Sequence, residues 1–70
     1  MELREKMLNA ARKHAEGELE VHLTNIEVYM QKVVGIGEHS DIIETIQKEL
    51  DAMAAAHDRL EMLDKYFGGE

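Results

Sequence analysis

Hydrophobic residues recur at helical spacing along nearly the whole chain. Steps of three or four residues place them on one face of a helix. In the first half this stripe comprises Leu8, Ala11, Ala15, Leu19, Leu23, Ile26, Met30 and Val33. Gly17 is the one residue of low helix propensity inside this stretch, so the pattern predicts a single helix over about residues 2–34. Arg12 falls on its polar face.

A second stripe follows in the second half of the chain. It comprises Ile42 or Ile43, Ile46, Leu50, Met53, Ala56 or His57, Leu60, Leu63 and Phe67, and four of these positions lie seven apart, as in a heptad. Ser40 or Asp41 can cap the helix start, and Asp41 with Glu44 fits a capping box. Gly68-Gly69 is a common helix ending. We predict a helix over about 41–67.

Two glycines, Gly35 and Gly37, flank an isoleucine between the two predicted helices. A phosphate-binding loop would need cationic neighbours and usually a preceding strand. Here the neighbours are Glu38 and Asp41, and the nearest lysine, Lys32, precedes the glycines. The interpretation as a turn over residues 35–40 is therefore favoured.

The composition supports a single all-α domain over residues 1–70. The chain has no cysteine, so disulfides and thiolate zinc sites are excluded. It also has no proline or tryptophan and only three aromatic residues, and this composition is more typical of helices than of a sheet. Two long helices joined by a short turn fold back as an antiparallel two-helix hairpin. One hairpin cannot cover two broad apolar stripes, so we expect two copies to pair into a homodimeric four-helix bundle.

The charge is unevenly divided along a chain whose net charge is −7. Residues 1–37 carry six acids and five bases, and residues 38–70 carry nine acids and three bases. Nucleic acids and anionic membrane surfaces are therefore poor partners for the second half. No apolar run approaches the ~20 residues that span a bilayer, and no signal-peptide core is evident. We expect a cytoplasmic location and no nucleic-acid or membrane partner.

Histidines and a carboxylate share one face of the first predicted helix. His14, Glu18 and His22 stand four apart, a spacing that can hold a divalent metal. Four-helix di-iron sites instead use Glu-x-x-His, and no histidine here has a glutamate three residues before it. Packing and hydrogen bonding at the stripe edge is the simpler interpretation, and no cofactor is expected.

Gly17 and His57 are expected to lie opposite one another in the hairpin. The favoured interpretation is a bulky side chain packed over an interior glycine, and the alternative is a pH-sensitive histidine contact.

The second helix combines an acidic ridge with apolar residues near its end. Asp58, Glu61 and Asp64 form the ridge, and Glu49 and Asp51 are expected on or near the same outer side. Half of a magnesium site is the alternative interpretation of this ridge, but a solvated acidic face explains it more simply. A basic protein surface would suit it. The apolar anchor for such a partner would comprise Met62, Tyr66 and Phe67, which could equally be dimer core.

Three segments carry a likeness to other proteins: "NIEVYM" at Asn25–Met30, "VGIGEHSDI" at Val34–Ile42 and "DKYF" at Asp64–Phe67. Residues 14–67 resemble small uncharacterised proteins of T4-like marine bacteriophages, those of cyanobacteria in particular. The resemblance implies a phage accessory protein acting in an infected cell, and it assigns no activity or site residue.

We therefore expect a non-catalytic acidic interaction protein that binds itself and an unidentified protein partner. The alternatives are a small metal-binding or metal-dependent helical enzyme and a structural component of a larger assembly. Nucleophilic catalysis lacks support, since there is no cysteine and Ser40 has no evident base and orienting group.

Overall fold

A computed structural model describes residues 2–32 and 39–68 of the chain. It contains two α-helices, α1 (Leu3–Lys32) and α2 (His39–Tyr66), which pack against each other. Residues early in α1 contact residues late in α2, as in the pair Arg12 and Asp64, so the helices are antiparallel. The molecule measures 53 × 18 × 14 Å. The prediction of an all-α two-helix hairpin is confirmed.

α1 begins at Leu3 and α2 ends at Tyr66, each within about one residue of the predicted bound. The predicted turn at Gly35 and Gly37 lies outside the described residues, as do Val33 and Val34. α2 begins at His39, earlier than predicted, so Asp41 lies inside the first turn rather than at the cap. A carboxylate there still favours the helix dipole. At the other end Gly68 has φ 106°, a left-handed conformation that glycine adopts without strain, and it ends the helix as predicted.

The contact between the helices follows a heptad seam, with steps of alternately four and three residues. Every member is buried or half-buried. On α1 the seam comprises Leu8, Arg12, Ala15, Leu19, His22, Ile26 and Tyr29, and on α2 Ile42, Ile46, Glu49, Met53, Ala56, Leu60 and Leu63. Ala15, Ile26 and Ala56 are the buried hydrophobic residues of the described part. Small side chains at two of these three positions let the helices approach closely.

The stripes inferred from hydrophobicity are only partly this seam. Five residues assigned to the apolar faces are exposed: Ala11, Leu23, Met30, Leu50 and Phe67. Arg12 and Glu49, assigned to outer faces, are half-buried within the seam. Those assignments were wrong because a stripe chosen by apolar character alone ignores how far a long polar side chain can reach across to a partner on the other helix.

The expected packing of His57 over Gly17 is also wrong. A Cβ added at Gly17 would meet nothing within 4 Å, and His57 is exposed. Gly17 therefore faces open space, and no tertiary contact in the hairpin requires a glycine there.

Candidate functional site

The seam has two sides of opposite character. We call one side the polar flank, which comprises Glu18, Asn25, Thr45, Ala52 and Arg59. The first four of these residues are half-buried, and Arg59 is exposed. On the other side lies an open flank, whose members are all exposed: Leu23, Met30, Ile43, Leu50 and His57. Within each helix the members of a flank are seven residues apart, so each flank is a continuous edge of the heptad pattern.

A three-residue hydrogen-bond cluster joins the helices beside the polar flank. Glu49 Oε1 accepts a hydrogen bond from His22 Nδ1 at 2.6 Å and another from Asn25 Nδ2 at 3.1 Å. The hydrogen bond from His22, and then that from Asn25, lower the pKa of Glu49 below its ordinary value. Within the described residues no buried side-chain nitrogen or oxygen lacks a hydrogen-bond partner. The cluster therefore contributes a satisfied polar layer of the kind that selects one register.

Two further ion pairs connect the helices. Arg59 pairs with Glu18 on the polar flank, and Arg12 pairs with Asp64 nearer the chain termini. All four side chains are partly exposed, so each pair contributes little stability on its own. Because the two pairs join different levels of the hairpin, they favour the same antiparallel register as the hydrogen-bond cluster.

The three residues considered as metal ligands do not meet at one point. His14 Nδ1 lies 3.4 Å from Glu18 Oε1, but that carboxylate also pairs with Arg59. The imidazole of His22 is directed to Glu49 on the other helix. Across residues 2–32 and 39–68, no group of three or more His, Cys, Asp or Glu side chains is arranged to hold a metal ion.

A shallow groove lies at the part of the open flank that Leu50 and His57 form. It is lined by Leu19, Leu50, Met53, Ala54, His57, Asp58 and Glu61. Its lining therefore combines aliphatic residues of the seam with two acidic residues of the predicted ridge. Such an open apolar channel between two helices suits another helix or hairpin rather than a small molecule, which an enclosed pocket would bind.

The residues proposed to contact a partner lie in several places rather than one. All six are exposed: Asp58, Glu61, Met62, Asp64, Tyr66 and Phe67. Asp58 and Glu61 border the groove of the open flank, whereas Asp64 is held by Arg12. The Lys65 ammonium lies 5.4 Å from the centre of the Tyr66 ring, within the range of a cation–π contact.

Phe67 belongs to a separate apolar patch at the termini. It lines a shallow depression with Leu3, Arg4, Met7 and Leu8 of α1. The sequence did not indicate this patch, because it forms only when the end of α2 returns beside the start of α1. The sequence signal for this patch was Phe67 itself, an apolar residue seven positions after Leu60.

Sequence reasoning missed Asn25, and it placed Glu49 on the outer side of the second helix rather than in the contact between the helices. Asn25 sits three residues after His22 and thus on the same helical surface, and Glu49 continues the four-and-three spacing from Ile42 and Ile46. A strict heptad count would have placed Glu49 inside, opposite a histidine.

Neither helix in the described part of the chain combines the length and the apolar character needed to cross a membrane. No protein-family model, no curated protein and no solved structure matches this chain.

Proposed function

We propose that this protein is a non-catalytic helical interaction protein. It assembles as a homodimeric four-helix bundle, and the acidic outer side of α2 binds a basic surface on a protein partner. The resemblance of residues 14–67 to phage proteins extends the proposal to an accessory role in an infected cell.

The observation that carries the proposal is the small size of the hairpin core. Three hydrophobic side chains of the described residues are buried, two of them alanines, and eleven large hydrophobic residues are exposed. The single core of a chain this short rarely supplies more than about 3–5 kcal/mol, and oligomerisation is one way to add to it. A second hairpin covers exposed apolar surface and adds the missing core.

The charge distribution supports an acidic docking side. α2 carries seven acidic and three basic residues, whereas α1 carries five of each. Cross-helix contacts engage Glu49 and Asp64. Exposed carboxylates on α2 include those of Glu44, Asp51, Asp58 and Glu61, and the last two border the groove of the open flank. Such a row attracts a basic protein surface and repels nucleic acid.

The dimer is tested by the mass in solution, measured by light scattering after size exclusion with and without EDTA. A mass about twice the 8.0 kDa of the chain, unchanged by chelator, is expected. A monomeric mass at every concentration would contradict the dimer. Dissociation or unfolding in EDTA would instead favour a metal-dependent protein.

The partner is tested by affinity capture with two charge-matched variants. Glu44→Gln/Asp51→Asn removes two exposed carboxylates seven residues apart on α2, and Glu20→Gln/Glu27→Gln removes two with the same spacing on α1. A partner recovered by the wild type and the α1 variant should be lost by the α2 variant and weakened by salt. Equal recovery by both variants would contradict an acidic docking side on α2.

A further inference from the structure

We propose that the second copy docks on the open flank of the hairpin, with the two α1–α2 connections at the same end of the bundle. This inference rests on the homodimer proposed above and names the surface and the orientation that form it.

The surface area indicates how much of the hairpin a partner must cover. The hairpin exposes 5486 Å², whereas a compact folded protein of 8.0 kDa exposes roughly 4,500 Å². Its radius of gyration is 16.0 Å, against about 11 Å for a compact chain of this length. The excess area is close to the roughly 800 Å² that each partner buries in a standard interface. One further copy therefore suffices to account for it.

The open flank is the side on which apolar residues of both helices meet. The contacts of Glu18 with Arg59 and of His22 with Glu49 set the register between α1 and α2. In this register Leu23 is about level with Leu50, and Met30 is about level with Ile43. Four large aliphatic side chains thus form two successive levels beside the apolar groove.

Other surfaces are less suitable for a bundle. The polar flank is already covered by its own hydrogen bonds and the pair of Glu18 with Arg59. Exposed Met7, Val21 and Val28 share an outer face of α1, but His14 interrupts them and α2 contributes nothing to that face. A four-helix bundle needs a face to which both helices of each hairpin contribute.

The distribution of residues along the open flank selects the orientation. Its apolar levels lie in the half nearer the α1–α2 connection, whereas His57 and the groove residues Asp58 and Glu61 lie in the half nearer the termini. If the connections are at the same end, apolar half meets apolar half. If they are at opposite ends, the aliphatic side chains of one copy cover charged groups of the other, which costs free energy.

The helix charges favour the same orientation. With both connections at one end, a two-fold axis along the bundle sets each acidic α2 beside the neutral α1 of the other copy. With the connections at opposite ends, each α2 lies beside the other α2, and two helices of net charge −4 (seven acidic and three basic residues each) become neighbours.

The surface is tested by comparing Leu50→Glu with Val21→Glu. The two side chains are similarly exposed in the hairpin, 48% and 56%, so an isolated hairpin tolerates glutamate about equally at either position. Light scattering should give a halved mass for Leu50→Glu and for Leu23→Glu, and the wild-type mass for Val21→Glu. A dimeric Leu50→Glu variant beside a monomeric Val21→Glu variant would overturn the assignment of the surface.

A second pair of variants, with smaller changes, is used if a glutamate variant does not fold. Leu50→Ala and Val21→Ala both retain high helix propensity. Leu50→Ala should raise the dimer dissociation constant at least tenfold, and Val21→Ala should leave it within about twofold. Equal dissociation constants for the two alanine variants would overturn the proposal.

The orientation is tested by a distance between spin labels on Glu2→Cys, which is a unique attachment site because the chain has no cysteine. Connections at the same end place the labels within about 30 Å, roughly two to three helix diameters. Connections at opposite ends separate them by a distance comparable with the 53 Å length of the hairpin. The long distance would overturn the proposed orientation.

The outcomes separate this inference from the function on which it rests. A monomeric wild type overturns the homodimer and the docking surface together. A dimeric wild type whose mass is unaffected by Leu23→Glu and Leu50→Glu overturns the docking surface alone.

Discussion

The two flanks of the seam invert the usual relation between polarity and burial. On the polar flank, Glu18 and Asn25 are half-buried and hydrogen-bonded across the helices. On the open flank, Leu23 and Leu50 remain in contact with solvent. The hairpin is therefore aligned by directional polar contacts, while much of its apolar surface stays available. In this hairpin, the polar contacts that fix the geometry are distinct from the apolar contacts that could contribute most of the stability.

The energetic reason lies in the two kinds of interaction. Hydrogen bonds and ion pairs depend on geometry, but their net contribution to stability is small. Apolar burial is non-directional and grows with the area removed from water. A hairpin that satisfies its polar groups internally and leaves aliphatic residues at its edge has a defined shape and still gains free energy by association.

The largest expected effect comes from shortening a buried side chain of the seam, which both flanks border. Ile26 is 6% exposed in the seam, and Ile26→Ala should lower the free energy of unfolding by about 2 kcal/mol or more. Val28→Ala, at an exposed position two residues away, should change it by less than about 0.5 kcal/mol. Urea denaturation of both variants checks the difference. Equal losses would mean that the seam is placed on the wrong face of α1.

The next prediction concerns the polar flank and its dependence on pH. Because the folded-state pKa of Glu49 is lowered, its contribution to stability is complete above its unfolded pKa of about 4.3 and is lost as the pH falls through the lower folded value. The melting temperature of the wild type should therefore fall more steeply below about pH 4.3 than that of Glu49→Gln. Glu20→Gln, an exposed control on α1, should retain the wild-type slope. If the melting temperatures of the wild type and Glu49→Gln fell equally steeply below that pH, the result would argue against this cluster.

A smaller and favourable effect is expected at Gly17, which lies on neither flank. Because a Cβ there meets nothing within 4 Å, Gly17→Ala should raise the free energy of unfolding by about 0.5–1 kcal/mol through helix propensity alone. Thermal or urea unfolding measures it. A loss of stability would show that something in the assembled protein occupies the space beside Gly17.

The smallest effect is expected from the ion pair on the polar flank. Glu18→Gln removes the charge that faces Arg59, and the half-exposed site limits the loss to less than about 1 kcal/mol. The dimer mass should be unchanged, since the proposed interface is on the opposite side. A halved mass for Glu18→Gln, with the wild-type mass for Leu50→Glu, would place the dimer interface on the polar flank instead of the open flank.

Much of the fold could be predicted from the chain because it depends on local rules. The apolar spacing from Leu8 to Ile26 predicts α1, and that from Ile46 to Leu60 predicts α2. The lack of proline agrees with two long helices, and the glycine at position 68 predicts the end of α2. The contacts of the site could not be predicted in the same way. Asn25 and Glu49 are 24 residues apart in sequence, and a local pattern carries no information about such pairs.

Local sequence patterns are enough to predict that α1 and α2 form, that α2 is acidic and that apolar residues exceed what one hairpin covers. Which residues face inward is known only from the packing of the two helices. Each helix has a broad apolar surface, so the hydrophobic pattern alone allows either His22 or Leu23, and either Glu49 or Leu50, to face the other helix. In the observed rotation, His22 and Glu49 are part-buried and hydrogen-bonded across the hairpin, whereas Leu23 and Leu50 are exposed. Such a contact joins residues far apart in the sequence, so a local pattern does not reveal it.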